Sequence, residues 1–233
     1  MSVFAILRSW LDDFASLFFP RLCVCCGGGL NKAERDVCTD CLCSLPRTRM
    51  HEIEANLVEV KFFGRVDVSL ATSFLFFEKD TVVQKLLHEI KYHDNPLLAE
   101  RLGLMFGTEL KGGRFESVDV IVPVPLHEKR LKERGYNQSE QIANGIAKAL
   151  GKPVALSVLA RTKGNETQTK KGAYERWENV RGIFSLMDAE LVKGKHVLLV
   201  DDVLTTGATI EACVEALASA EASVSVATIA TVQ

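Results

Sequence analysis

The chain has 233 residues, with 28 Lys and Arg against 30 Asp and Glu, for a formal net charge of -2. At roughly 100–200 residues per domain, that length allows one large domain or two unequal ones. Hydrophobic and charged fractions of 47% and 25% exclude wholesale disorder, and the balanced charge excludes a uniformly basic nucleic-acid binder while leaving room for a local basic patch.

In the first 19 residues, Phe4, Leu7, Leu11, Phe14 and Leu17/Phe18 fall on one face of a helix, interrupted by Arg8, Asp12 and Asp13. The spacing predicts an amphipathic helix over 1–19. No stretch of the chain approaches the ~20 apolar residues of a membrane span. The first apolar run, Val3 to Leu7, is shorter than a signal-peptide core of ~7–15 residues. No membrane span and a cytoplasmic location are expected, with thiols reduced or metal-bound.

Residues 20–49 hold six of the seven cysteines, between Cys23 and Cys43. Such clustering argues against a disulfide framework spread over the fold. Cys23 and Cys26 form one C-x-x-C knuckle, and Cys38 and Cys41 form another eleven residues further on. Each knuckle turns two thiolates toward one point, and two knuckles complete a tetrahedral set that suits Zn²⁺. The site has no open coordination position, so it reads as structural. A segment this poor in aliphatic residues needs such a staple. Cys25 and Cys43 lie near enough to replace one of the four ligands. The seventh cysteine, Cys213, reads as a small buried apolar residue.

From residue 50 to 233 the pattern changes to strands alternating with helices. Val68–Phe77 reads as a strand, Thr81–Tyr92 and Leu97–Leu110 as helices, Val118–Val124 as a strand and Ser139–Leu150 as a helix ended by Gly151. Val154–Leu159 reads as a short strand, 165–179 as a long polar loop, Lys195–Val200 as a strand, Thr209–Ala220 as a helix and Val224–Ala230 as a strand. This alternation predicts an α/β layer structure around a mostly parallel sheet flanked by helices.

The most specific stretch runs from Lys195 to Thr209. An apolar strand ends in Asp201 and Asp202, and Thr205, Thr206, Gly207, Ala208 and Thr209 then turn into a helix. Small residues let amide hydrogens approach a phosphate, the threonine hydroxyls add donors, and the helix start adds a favourable dipole. Two adjacent acids do not suit a phosphate. They suit sugar hydroxyls, as on ribose, and a Mg²⁺ held nearby. One element therefore reads as a cradle for ribose 5-phosphate. Neither a G-x-x-x-x-G-K-[ST] loop nor a G-x-G-x-x-G turn is present.

This loop resembles the 5-phosphoribosyl-1-pyrophosphate (PRPP) signature of type I phosphoribosyltransferases. Together with the four-cysteine ribbon it resembles the ComF (competence protein F) family. Further matching stretches are Ile90–Asn95, Val122–His127, Arg134–Gln138, and Arg161 with Gln168, Arg176, Asn179 and Val180. The resemblance implies a type I phosphoribosyltransferase fold over 50–233, behind an N-terminal zinc ribbon. It places Val124, Pro125, Leu126 and His127 at the pyrophosphate loop, with Arg130 or Arg134 behind it as phosphate contacts. It makes 161–179 a closing loop, with Arg161 beside Asp201 and Asp202 in the catalytic set.

The implied reaction is Mg²⁺-dependent transfer of phosphoribosyl from PRPP to an acceptor that the sequence does not identify. Relatives in that family are linked to DNA uptake and natural transformation. The alternative is a PRPP-sensing adaptor whose ribbon docks a helicase, another competence protein or single-stranded DNA. No role for Lys91, Tyr92, His93 or Asp94 follows from the sequence.

Overall fold

A computed structural model describes residues 19–161 and 183–232. The helix expected over 1–19 therefore lies, but for its last residue, outside the described residues, as does nearly all of the polar loop.

Four strands form one all-parallel sheet: β1 (Ala71–Phe77), β2 (Val120–Pro123), β5 (His196–Leu204) and β6 (Ser223–Val232), in the order β1-β6-β5-β2. The apolar runs of β2 and β5 reflect burial on both faces, while β1 and β6 interleave buried Thr72, Ser73, Ser225 and Thr228 with apolar residues. In β2, Ile121 faces one core while Val120 and Val122 face the other; in β5, Leu198 and Val200 oppose Val197 and Leu199 in the same way.

On the first face lie α3 (Val82–Tyr92), α4 (Pro96–Leu110) and α6 (Gln138–Leu150), whose apolar stripes meet Phe74, Leu198 and Val200. On the second lies α7 (Ala208–Ala218), which buries Ile210, Val214 and Leu217. The short α2 (Leu57–Val60) adds Val58 to that side, and Phe62 just beyond it does the same.

The strand expected at 154–159 is not one strand. Val154 makes a lone parallel bridge to Ile121, and Leu159–Arg161 (β3) pairs antiparallel with Phe184–Leu186 (β4) in a separate hairpin. Gly151 ends α6, and only the stretch around Val154 returns to the outer edge of β2 before the chain leaves the sheet, so the extended run is split.

The segment 128–134, between the expected strand and the helix at 139–150, is itself a helix, α5 (Glu128–Arg134). His127 caps its start, accepting from the Lys129 amide at 3.2 Å, and Gly135 at φ 77° ends it. It buries none of its residues, so no apolar period betrays it.

The cysteine segment packs directly on the first face. Cys23, Cys25, Val37, Cys41 and Leu45 share a core with Leu86, Leu98 and Phe106. Polar contacts tie it there: Lys85 Nζ donates to the Cys25 carbonyl at 2.7 Å, Asn95 Nδ2 donates to Asp36 Oδ1 at 3.0 Å, Arg101 pairs with Asp36 at 3.6 Å, and Arg47 pairs with Glu109. The exit from this segment pairs with β1. The Thr48 amide donates to the Phe74 carbonyl at 3.0 Å, and the Phe76 amide to the Pro46 carbonyl at 2.9 Å.

Candidate functional site

The site begins where the connections diverge. After β2 the chain enters α6 on the first face, and after β5 it enters α7 on the second; between α6 and β5 the β3–β4 hairpin packs on the second face. The loops leaving the ends of β2 and β5 therefore part company and leave a crevice, the usual place for a ligand in an open α/β sheet.

Asp201 and Asp202 lie at the floor of this crevice, inside β5 rather than beyond it. The strand runs on to Leu204 because Asp201 stays in register with Thr228, and Val203 with Ala230. Asp201 Oδ1 accepts from Ser139 Oγ at 2.9 Å and from the Asp202 amide at 2.8 Å. Burial pushes the Asp201 carboxyl up to about 7, the neighbouring Asp202 adds to the rise, and these hydrogen bonds together with Lys91 oppose it.

Lys91, which the sequence left without a role, reaches in from the last turn of α3 and sets its ammonium 3.0 Å from Asp202 Oδ2. No local pattern marks it, because the pairing joins residues far apart in the chain.

After Leu204 the loop turns through Thr205 and Thr206 to Gly207, whose φ of 88° caps the start of α7. A β-carbon there would lie 3.1 Å from Phe62 Cε1, so both the backbone angle and the space call for glycine. Asp201 and residues 203–210 curl around a cavity of about 30 Å³. Thr205 and Thr209 are exposed to solvent beside it, as donors for an incoming phosphate require. Arg65 braces this loop from outside, donating to the Thr206 carbonyl at 3.1 Å and pairing with Glu211 at 2.7 Å.

Across the crevice, Val124–His127 leads from β2 into α5. Asn137 caps α6 by accepting from the Ser139 amide at 3.1 Å, and its Nδ2 donates to the Val124 carbonyl at 3.0 Å. One side chain thus fixes both this loop and the helix that presents Ser139 to Asp201. Arg134 donates to Gln138 Oε1 at 2.7 Å, with its guanidinium 5.4 Å from the Tyr92 ring centroid. Lys91, Tyr92, Asp94, Arg130, Glu133 and Arg134 line a cleft of about 450 Å³ beside the acids.

Arg161, at the end of β3, lies within electrostatic reach of Asp201 and of Arg130. Its guanidinium sits 5.5 Å from the Phe184 ring centroid, and its buried Nε finds no hydrogen-bond partner among the described residues. The structure thus groups Asp201, Asp202, Arg161, Arg130 and Arg134 around one crevice. The rest of the expected closing loop lies outside the described residues. A larger cavity of about 580 Å³ lies apart from the acids, between 65–69 and the outer side of α7.

The second cluster is the cysteine set. The sulfurs of Cys23, Cys26, Cys38 and Cys41 all lie within 4.8 Å of one another, and Cys26 and Cys38 are 3.8 Å apart. A tetrahedron with Zn–S bonds of about 2.3 Å puts its sulfurs about 3.8 Å apart, so the set fits zinc. Burial opposes ionisation of Cys23, yet amide hydrogens of Cys38, Cys26 and Cys25 bring it down to about 6, while burial and the neighbouring sulfurs push the Cys41 thiol up. Cys25 is outside the set. It packs in the core, where burial and the nearby Cys23 push its thiol up to about 12. Cys43 is exposed and also outside. Cys213 is fully buried, and burial raises its thiol far above the usual range.

Residues 137–233 match the phosphoribosyl transferase domain family. Over 203 residues the chain is 26% identical to Competence protein F of Haemophilus influenzae, covering 83% of this chain and 89% of that one. It is 25% identical over 190 residues to Competence protein ComFC of Bacillus subtilis, covering 82% and 75%. It is 32% identical over 130 residues to the DNA utilization protein YhgH of Escherichia coli K12, covering 54% of this chain and 56% of that relative. Among solved structures, a glutamine PRPP amidotransferase from B. subtilis aligns at 26% identity and a TM-score of 0.43, over 61% of this chain and 30% of that one. With its parallel sheet, the matched domain and the four-cysteine cluster ahead of it, the chain carries a phosphoribosyltransferase-type fold over 137–233 and is similar along most of its length to the ComF competence proteins.

Proposed function

We propose that this protein binds PRPP with Mg²⁺ in the crevice between β2 and β5 and transfers its phosphoribosyl group to an acceptor, in the service of DNA uptake. The observation that carries this reading is the run of two acids into a Thr-Thr-Gly-Ala-Thr turn at the start of α7, opening on the switch point of the sheet. Thr205, Thr206, Gly207, Ala208 and Thr209 hold the 5-phosphate. Asp201 and Asp202 accept hydrogen bonds from the ribose hydroxyls. Residues Val124, Pro125, Leu126 and His127, with Arg130 and Arg134, face the pyrophosphate, and Arg161 adds positive charge from the hairpin.

A hard cation fits the carboxylate oxygens at the crevice floor, and Asp201 and Asp202 would hold it. When bound it supplies charge neutralisation of the pyrophosphate. In the reaction the acceptor forms a bond to C1 of the ribose while the C1–oxygen bond to pyrophosphate breaks and its electron pair leaves with pyrophosphate. Positive charge develops on the sugar. The protein's part is positioning and electrostatics, with no side chain needed as nucleophile. In domain terms, residues 20–49 serve as the ribbon and 50–233 as the transferase unit.

The test is binding of Mg²⁺–PRPP measured by calorimetry. The double variant Asp201→Asn/Asp202→Asn is expected to lose that binding with its zinc content unchanged, and normal affinity in the variant would refute the assignment. Pyrophosphate release with candidate bases and amines tests turnover.

A second reading is a PRPP-sensing adaptor, favoured by the surface of the cysteine segment. Phe19 and Leu22 are 84% and 54% exposed there, beside exposed Arg21, Lys32 and Arg35. Such a surface suits a helicase partner or single-stranded DNA. PRPP that stabilises the protein without turnover for any acceptor, together with salt-sensitive DNA binding, would favour it.

A further inference from the structure

The Lys91–Asp202 pair stands on the path of the proposed ligand. Asp201 is already held by Ser139 and by the Asp202 amide, both within the protein. Asp202 is held by Lys91, a flexible four-carbon stem that ends in a point charge. That ammonium occupies space at the carboxylate that a ribose hydroxyl would need. It also lines the 450 Å³ cleft it shares with Arg130 and Arg134, so the ammonium that pairs with the acid borders a space with two further cations.

The helix beneath it is fixed. Val83, Leu86, Leu87 and Ile90 of α3 are buried, and the Tyr136 hydroxyl donates to the Ile90 carbonyl. The last turn of α3 is thereby pinned to the turn before α6, which carries Asn137 and directly follows Arg134, the last residue of α5. The side chain can move while its base stays in place.

We propose that Lys91 is an exchangeable counter-ion: it neutralises Asp202 while the sugar is absent, then yields that carboxylate to the ribose hydroxyls and moves its ammonium onto the pyrophosphate. This rests on the reading of the crevice as a PRPP site. Lys91 then favours the pyrophosphate-bearing ligand over ribose 5-phosphate, because only PRPP offers the departing ammonium a new anion.

The experiment measures Mg²⁺-dependent binding of PRPP and of ribose 5-phosphate to the wild-type chain and to Lys91→Met, Lys91→Gln and Lys91→Arg. In the Met variant, PRPP affinity is expected to fall about tenfold or more while ribose 5-phosphate binds as well as, or more tightly than, before, with Arg largely restoring the preference. The Gln variant serves the same comparison if the Met variant does not fold. A parallel loss for both ligands would make Lys91 a mere structural counter-ion and overturn the proposal. So would an unchanged preference. A wild-type chain that binds neither ligand, or an Asp201→Asn/Asp202→Asn chain that binds both normally, would overturn the PRPP reading itself and the Lys91 proposal with it.

Discussion

Asp201 pairs an unfavourable burial with a usable charge. Its carboxyl is raised to about 7 in the folded chain, against about 3.9 for an exposed Asp. The folded state therefore holds this proton more tightly than the unfolded one. Its contribution to stability is full below about pH 4 and is lost as the pH rises through about 7. Asp201→Asn keeps an oxygen for Ser139 and the Asp202 amide but carries no charge. It is expected to raise the melting temperature of the ligand-free protein by a few degrees at pH 8 and to leave it nearly unchanged at pH 4, as scanning calorimetry at the two pH values will show. Gly207 is a second residue at which function sets the chemistry. Gly207→Ala places a methyl against Phe62 and Glu211 on a backbone at φ 88°. A loss of about 1–3 kcal/mol in denaturant unfolding is expected, together with weaker PRPP binding.

Three glycines, Gly103 and Gly107 on α4 and Gly145 on α6, let the two helices lie nearly backbone to backbone. A β-carbon on Gly103 would stand 2.2 Å from the Ile142 carbonyl oxygen, and one on Gly145 would stand 2.0 Å from that of Glu100. Helix axes must separate to admit either methyl. Gly145→Ala is expected to cost about 3 kcal/mol or more in urea unfolding, and by shifting α6 to loosen Ser139 from Asp201. The sequence spaces Gly103 and Gly107 four residues apart on one face of α4, but it does not say that the helix bearing Gly145 is what they meet. The elements that were legible are those whose burial writes a period into the chain. The sheet strands are rich in apolar and β-branched residues, and α3 and α6 carry clear stripes. Where another force decides, the reading stopped short. The strand β5 was expected to end at Val200, because the two acids break its apolar run, yet backbone pairing with β6 continues to Leu204. In α5, capping by His127 and Gly135 forms a helix with no buried face, so periodicity is silent. In the site, the acids and the threonine turn were readable because they are contiguous. Lys91, Ser139 and Arg65 reach them from elsewhere in the chain, and only the fold shows it.

At the scale of the whole molecule, the cysteine segment is part of the larger core. Cys23, Cys25, Val37, Cys41 and Leu45 belong to the same apolar cluster as α3 and α4, and Lys85 and Lys91 stand on the one helix α3. Metal removal should therefore be felt beyond the knuckles. A strong chelator, or Cys26→Ser, is expected to lower the melting temperature in a single transition and to weaken PRPP binding, measured by scanning fluorimetry with and without added Zn²⁺. The same unity appears at residues 46–48, which pair with the outer side of β1. An uncovered strand edge is a template for another chain. A chain shortened to begin at residue 50 is expected to self-associate, visible by light scattering, whereas one that begins at Leu45 keeps its edge covered. The place where the composition changes is thus not the place where the molecule can be cut. A lineage that discarded its metal knuckles together with this short seam would have to find something else to hem the sheet, so the two parts are bound to be inherited as one piece.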